Sequence, residues 1–249
     1  MTDATVWLRI RRCDAPGEPA RWEEFRVPRL QAMNVITCLQ EIQKNPVDAG
    51  GQAVSPVVWE CNCLEEVCGA CTMVINGRAR QACTALVDAL REPIVLEPLS
   101  KFPVIRDLAV DREAMFESLK RIRGWVPIDG THDLGPGPRL AEKERQFGYR
   151  LSRCMTCGCC MESCPQVNPK TNFIGPAPLA QALYFNTSPT GRMNAEERLE
   201  AIMGDGGITE CGNAQNCVKA CPKEVPLTTA IADLNRATTW HFIKSWLTR

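Results

Sequence analysis

This 249-residue chain has no surplus of charge of either sign, since 29 lysines and arginines balance 29 aspartates and glutamates. A global basic field for nucleic acid is therefore absent, and no nucleic-acid partner is expected. A local patch would be needed instead. The pair Arg150 and Arg153 is the candidate, and it reads better as charge set beside a neighbouring cysteine loop. No run approaches eighteen apolar residues, which excludes a membrane-spanning helix and leaves membrane attachment to a partner. Histidine is nearly missing: His132 and His241 are the only two, and neither lies in a cysteine loop. Metal held by those loops is held without imidazole. There is no Gly-rich dinucleotide fingerprint and no acid–base constellation, so organic chemistry must sit on another chain.

What the chain has in abundance is cysteine, fifteen residues, of which eleven fall into three groups. The first is Cys63-Leu-Glu-Glu-Val-Cys68-Gly-Ala-Cys71, with Cys83 after eleven further residues. The second is Cys154-Met-Thr-Cys157-Gly-Cys-Cys160-Met-Glu-Ser-Cys164-Pro165, and the third is Cys211, Cys217 and Cys221, closed by Pro222. A C-x4-C-x2-C loop is a plant-type [2Fe–2S] spacing, and C-x2-C-x2-C-x3-C-P is the bacterial ferredoxin run. Thiolates at such spacings wrap a small cluster whose irons each take tetrahedral sulfur. Structural zinc has no evident use for two successive C-x2-C steps or for the closing Cys-Pro.

The third group departs from the bacterial run at one place, where Ala214 occupies the position of the second cysteine. In two-cluster ferredoxins the fourth cysteine of each run ligates the other cluster. Cys221 then joins Cys154, Cys157 and Cys160 around [4Fe–4S]. Cys164 crosses to Cys211 and Cys217, giving three thiolates and a [3Fe–4S] expectation. Of the remaining cysteines, Cys38 falls in a helical apolar pattern as a buried thiol, and Cys13 precedes a turn. Cys61 loses to Cys63 on spacing, and Cys159 packs near cluster sulfur without ligating. A disulfide framework is not expected, because no secretory signal precedes these thiols.

The surrounding pattern predicts an α+β protein. Thr5 to Arg11 alternates as a strand with Val6, Leu8 and Ile10 on one face, and Glu24 to Val27 returns. A helix spans Val35 to Gln43, Asn76-Gly77 marks a type I′ hairpin, and Ile94 to Leu96 adds a strand. These make a β-grasp, plant-type ferredoxin domain over residues 1–105. Residues 106–249 read as a mostly α-helical, bacterial-ferredoxin-like domain. One helix carries Met115, Leu119 and Ile122. A second opens at Asn194 with Glu197 as capping-box partner, carries Leu199, Ile202 and Met203, and stops at Gly204. A third holds Leu227, Ile231 and Leu234. Gly130 to Arg139 and Asn168 to Pro178 read as loops. The tail from Trp240 to Leu247 reads as core packing, with an aromatic surface patch as the alternative.

Joined in this order, the three groups resemble the iron–sulfur subunit of succinate dehydrogenase and fumarate reductase. The resemblance covers essentially the whole chain, including Leu96-Glu-Pro-Leu99 and Phe102 to Leu108, which join the two domains in that family. It implies [2Fe–2S] on Cys63, Cys68, Cys71 and Cys83, and agrees with the other two ligand sets. It also implies a flavoprotein partner carrying FAD, and a membrane anchor of cytochrome b type with haem b and quinone. Ubiquinone-linked members place a Trp after the first Cys-Pro and a His after the first cysteine of the third group. Here Gln166 to Pro169 and Gly212 stand there. The wording Asn62 to Cys71 and Cys211-Gly-Asn-Ala-Gln-Asn-Cys217 is similar to the menaquinone-linked kind. The resemblance places the chain peripherally on the cytoplasmic face of a bacterial membrane. Subunits of other flavoenzymes with cysteine-rich segments fit less well, because they lack this pairing of a β-grasp domain with a three-thiolate site.

Overall fold

The computed structural model describes residues 5–126 and 139–248. The chain runs through strands β1 (Thr5–Arg12) and β2 (Arg21–Pro28), helix α1 (Val35–Lys44), and strands β3 (Thr72–Ile75), β4 (Arg78–Gln81) and β5 (Ile94–Glu97). Strands β6 (Val104–Arg106) and β7 (Ala109–Val110) follow. Then come helices α2 (Glu113–Arg121), α3 (Glu142–Ser152), α4 (Cys159–Glu162), α5 (Pro176–Thr187), α6 (Ala195–Met203), α7 (Asn216–Ala220) and α8 (Leu227–Leu247). Two compact units form: Met1–Arg112 with Met155–Glu162, and Glu113–Cys154 with Ser163–Arg249. The Gly- and Pro-rich stretch from Gly130 lies outside the described residues, as does His132.

In the first unit a mixed sheet of order β2-β1-β5-β3-β4 carries α1 on one face, the β-grasp arrangement. The β1–β5 pairing is parallel and the other pairs are antiparallel. Strand alternation sends Val6, Leu8 and Ile10 into the core, where they meet Val35, Leu39 and Ile42 of α1. Asn34 caps α1 by accepting from the Thr37 N–H at 2.9 Å. Asn76 and Gly77 both take positive φ, 49° and 76°, as a two-residue type I′ hairpin requires.

β1 continues one residue beyond the sequence expectation, and the buried face of the strand ends on Arg12. Its guanidinium is fully buried and donates to Asp107 Oδ1 at 2.8 Å, to Glu23 Oε2 at 2.5 Å and to the Ser55 carbonyl at 3.0 Å. Asp107 is equally buried and also accepts from the Cys13 and Val58 N–H groups. A charge can sit in a core only with this degree of pairing.

In the second unit α5 packs against α2, α3, α6 and α8. Ile122, Leu179, Ile202, Ile231 and Leu234 form the centre of its core. Three expectations need correction. The stretch read as loop up to Pro178 turns helical at Pro176, because proline in the first helical turn has no intrahelical N–H bond to lose. No capping box forms at Asn194: a 3₁₀ turn, Gly191–Asn194, runs straight into α6 and its Arg192 carbonyl takes the Ala195 N–H. Asn194 instead donates to Glu197 Oε1 at 3.2 Å. The tail is not core. Burial along α8 stops at Thr238, and Trp240, Phe242 and Trp246 are exposed. The face turned to α6 carries His241 and Lys244 opposite Glu200 and Glu196, which leaves the aromatic residues the outer face.

Sequence reading also missed Arg198 in this unit. Fully buried on α6, it donates to the carbonyls of Arg123, Gly191 and Trp125 and to Asn186 Oδ1, tying the ends of three segments to one side chain.

Candidate iron–sulfur sites

The first cysteine loop is shaped by left-handed residues. Leu64, Glu66 and Gly69 take φ of 61°, 55° and 74°, which turns successive N–H groups inward. Glu65 and Val67 N–H donate to Cys63 Sγ at 3.4 and 3.3 Å, and Ala70 N–H donates to Cys68 Sγ at 3.4 Å. Those donors, Glu65 first, hold the Cys63 thiol down at about 7. The β3–β4 hairpin pairs Thr72 with Gln81, and Ala82 N–H bonds the Cys71 carbonyl at 3.1 Å, so Cys83 returns beside Cys71. Burial, then the neighbouring Cys71, pushes the Cys83 thiol up to about 11. N–H groups aimed at sulfur and crowded thiols together fit a group that supplies positive iron and accepts hydrogen bonds on its sulfurs. Cys61 lies near the same thiols but is exposed.

Arg112 fixes the closing turn of this loop from behind. Its guanidinium donates to the carbonyls of Gly69 and Ala70 at 2.8 and 2.9 Å. The front of Gly69 meets Cys157: a Cβ there would lie 2.7 Å from both Cα and Cβ of Cys157. Glycine is required at position 69 by conformation and by space at once.

Met155–Glu162, the heart of the second cysteine run, belongs to the same unit as the first loop. Gly158 adopts φ 88° with the Phe102 ring against it, and Glu162 accepts from Ser100 Oγ and Lys101 N–H at 2.6 and 3.0 Å. Cys157 and Cys160 are both buried. Cys159 is fully buried and its sulfur accepts from Gln81 Nε2 at 3.5 Å, while the Cys157 thiol is drawn down to about 7, chiefly by the neighbouring Cys159. The partner effect pushes Cys159 far up. Cys154 and Cys221 belong to the second unit, where Cys221 Sγ accepts from the Val225 N–H at 3.4 Å.

The third group frames a small pocket. Cys164, Cys211 and Cys217 line it, Ala214 contributes to its wall, and Cys221 is not among the lining residues. Asn213 and Gln215 take φ of 51° and 60°, curling the loop around the opening. A Cβ on Gly212 would meet Gln166 Nε2 at 2.5 Å, so a side chain at position 212 would have the Gln166 amide to displace. Burial, with the nearby Cys164 and Cys211 adding to it, pushes the Cys217 thiol up to about 11. The wall carries three thiols and neither carboxylate nor imidazole, a donor set that suits soft-ligand iron chemistry.

Away from these sites, Cys38 is fully buried in α1 and its thiol is pushed up to about 12 by burial, the property of an inert thiol. Cys13 is buried and donates to the Ala15 carbonyl at 3.0 Å. Arg150 lies over the Phe147 ring at 5.8 Å. Among the described residues no helix is long and apolar enough to cross a membrane.

Residues 7–117 match the model of a 2Fe-2S iron-sulfur cluster binding domain, and residues 150–225 match that of a 4Fe-4S dicluster domain. The chain is 58% identical over 234 residues to the succinate dehydrogenase iron-sulfur subunit of Bacillus subtilis, covering 94% of this chain and 92% of that one. It is 33% identical over 219 residues to the fumarate reductase iron-sulfur subunit of Wolinella succinogenes, covering 86% and 88%. A chain of the Mycobacterium smegmatis Sdh1 complex shares the fold, with a TM-score of 0.77 at 22% identity over 95% of this chain and 96% of that one.

Proposed function

The chain belongs to the iron–sulfur subunits of succinate dehydrogenase and fumarate reductase, and within that family we propose that it is a three-cluster electron wire with assigned ligands. Cys63, Cys68, Cys71 and Cys83 hold [2Fe–2S], on a domain spanning residues 1–105. Cys154, Cys157, Cys160 and Cys221 hold [4Fe–4S], and Cys164, Cys211 and Cys217 hold [3Fe–4S], on a domain spanning 106–249. The observation that carries the reading is the three-thiol pocket with the Ala214 methyl in its wall and Cys221 outside it.

The clusters, when bound, supply one-electron acceptance and donation at graded potentials. The polypeptide fixes their order and surroundings. Inward N–H groups at Cys63 and Cys68 stabilise negative charge on those sulfurs. Arg112 holds the turn that presents Gly69 to Cys157. Electrons enter from a flavoprotein partner carrying FAD, where succinate is oxidised or fumarate reduced. They leave towards haem b or menaquinone at a cytochrome b anchor, with this chain docked on the cytoplasmic face of the membrane. The absence of a spanning helix among the described residues and the missing Trp and His of ubiquinone-linked members support that placement.

Low-temperature EPR on the anaerobically purified complex tests the reading. An oxidised-state [3Fe–4S] signal joined by a [2Fe–2S] signal on reduction is the expected result. A silent sample containing zinc overturns it.

A further inference from the structure

The segment Met155–Glu162 carries Cys157 and Cys160 and contains a single helical turn, α4, which is too short to hold its own shape. The first unit supplies what the turn lacks. At the front, the backbone of Cys157 lies against Gly69, close enough that a methyl on the glycine would stand 2.7 Å from Cys157 Cα. In the middle, a Cβ on Gly158 would lie 3.2 Å from the Phe102 ring, and the buried Gln81 amide donates to Cys159 Sγ at 3.5 Å. At the back, Glu162 closes the segment. One of its carboxylate oxygens accepts from Ser100 Oγ at 2.6 Å, and the other accepts from the Lys101 N–H at 3.0 Å. Those two donors directly follow Leu99, which is fully buried in the first unit. Charge-assisted bonds to two adjacent residues fix both the place and the direction of the α4 end.

We propose that Glu162 is a positioning residue for electron transfer, clamping the second cysteine loop to Ser100 and Lys101 so that Cys157 stays packed against Gly69. The inference rests on the ligand assignment above. Gly69 lies between Cys68 and Cys71, so its contact with Cys157 joins the first ligand set to the second. The transfer moves one electron across this contact and makes or breaks no bond, so its rate follows the width of the gap and the driving force. Tunnelling falls steeply with distance. A ligand carried on a loop is held in place only when the groups behind it are themselves held. Glu162 is the sole charged residue of the segment, and both of its oxygens are engaged by the clamp.

The test uses the intact, fully loaded complex and reads the spin–spin interaction between reduced [2Fe–2S] and reduced [4Fe–4S], which falls steeply with their separation. In the unsubstituted complex, the microwave power that saturates the [2Fe–2S] EPR signal should rise once [4Fe–4S] is also reduced. Glu162→Ala is expected to lose most of that rise with both clusters still loaded. Glu162→Gln is expected to keep it, since the amide oxygen accepts from the Lys101 N–H and the amide nitrogen can donate to Ser100 Oγ. Ser100→Ala removes one of the two bonds and should lose part of the rise, which gives a second reading where alanine at position 162 impairs loading. A rise of native size in loaded Glu162→Ala, or in Ser100→Ala where Glu162→Ala does not load, overturns the inference and leaves the ligands standing. Equal losses in Glu162→Ala and Glu162→Gln also overturn it, because the carboxylate would then act through its charge. An unsubstituted complex without any [4Fe–4S] spectrum overturns the ligand assignment and the inference together.

Discussion

Gly69→Ala measures how closely the first two cysteine loops are packed. Two separate costs apply. The backbone at φ +74° is left-handed, and a Cβ-bearing residue there loses about 1–2 kcal/mol. The new methyl would also stand 2.7 Å from Cα and Cβ of Cys157, where the obstacle is backbone and cannot swing away. Overpacking of that kind costs about 1–3 kcal/mol, for a sum of about 2–5 kcal/mol. Gly51→Ala is the control, since its φ of +81° is similar but nothing lies within 4 Å of the added Cβ. It should lose only the conformational part, about 1–2 kcal/mol. In thermal unfolding of the loaded protein, with about 2–4 °C per kcal/mol at this size, Gly69→Ala should melt well below Gly51→Ala. Equal losses in the two variants would refute the close approach.

Ala214→Cys puts a fourth thiol in the wall of the three-thiol pocket, and the oxidised [3Fe–4S] EPR signal should give way to a [4Fe–4S] spectrum; a signal identical to the native one rejects the assignment of that pocket. Asp107→Ala strands the buried Arg12 guanidinium and should cost about 3–5 kcal/mol in unfolding experiments, with an Arg12→Met/Asp107→Leu pair recovering most of it. Were the single variant as stable as native, the network would not be holding β1 to the β6–β7 turn. Glu142 is held down at about 2, first by Arg145 and then by Gln146. Its folded value lies below the unfolded one of about 4.3, so the pairing is complete above that range and is lost as pH falls towards 2; a carbon NMR titration with a midpoint at 4 or higher refutes the pair. Anaerobic removal of iron by a chelator should collapse the first loop's protection against thiol alkylation at Cys63 and Cys68, and unchanged labelling would show that those thiols are not ligands.

Much of this molecule is visible in one dimension because its determinants are local. Strand alternation at Val6, Leu8 and Ile10 and the Asn-Gly turn each act within a few residues, and each has a structural counterpart. What escaped the sequence depends on groups that meet only after folding. Arg12 carries a full charge at the next inward position of β1, and its acceptability is decided by Asp107, which lies 95 residues away. Read alone, an arginine at that position argues for ending the strand. Cys159 likewise meets the Gln81 amide, 78 residues earlier on the sheet, which donates to its sulfur at 3.5 Å. The aromatic tail failed for a related reason: Trp240, Phe242 and Trp246 look like core until the salt-bridging residues of the same helix claim the inward face. Local pattern states what an element can bury, and the charged residues sharing that element decide which side it turns inward. The same rule accounts for the second cysteine run. Met155–Glu162 groups with the first unit, where Gly69 offers no side chain to keep Cys157 away.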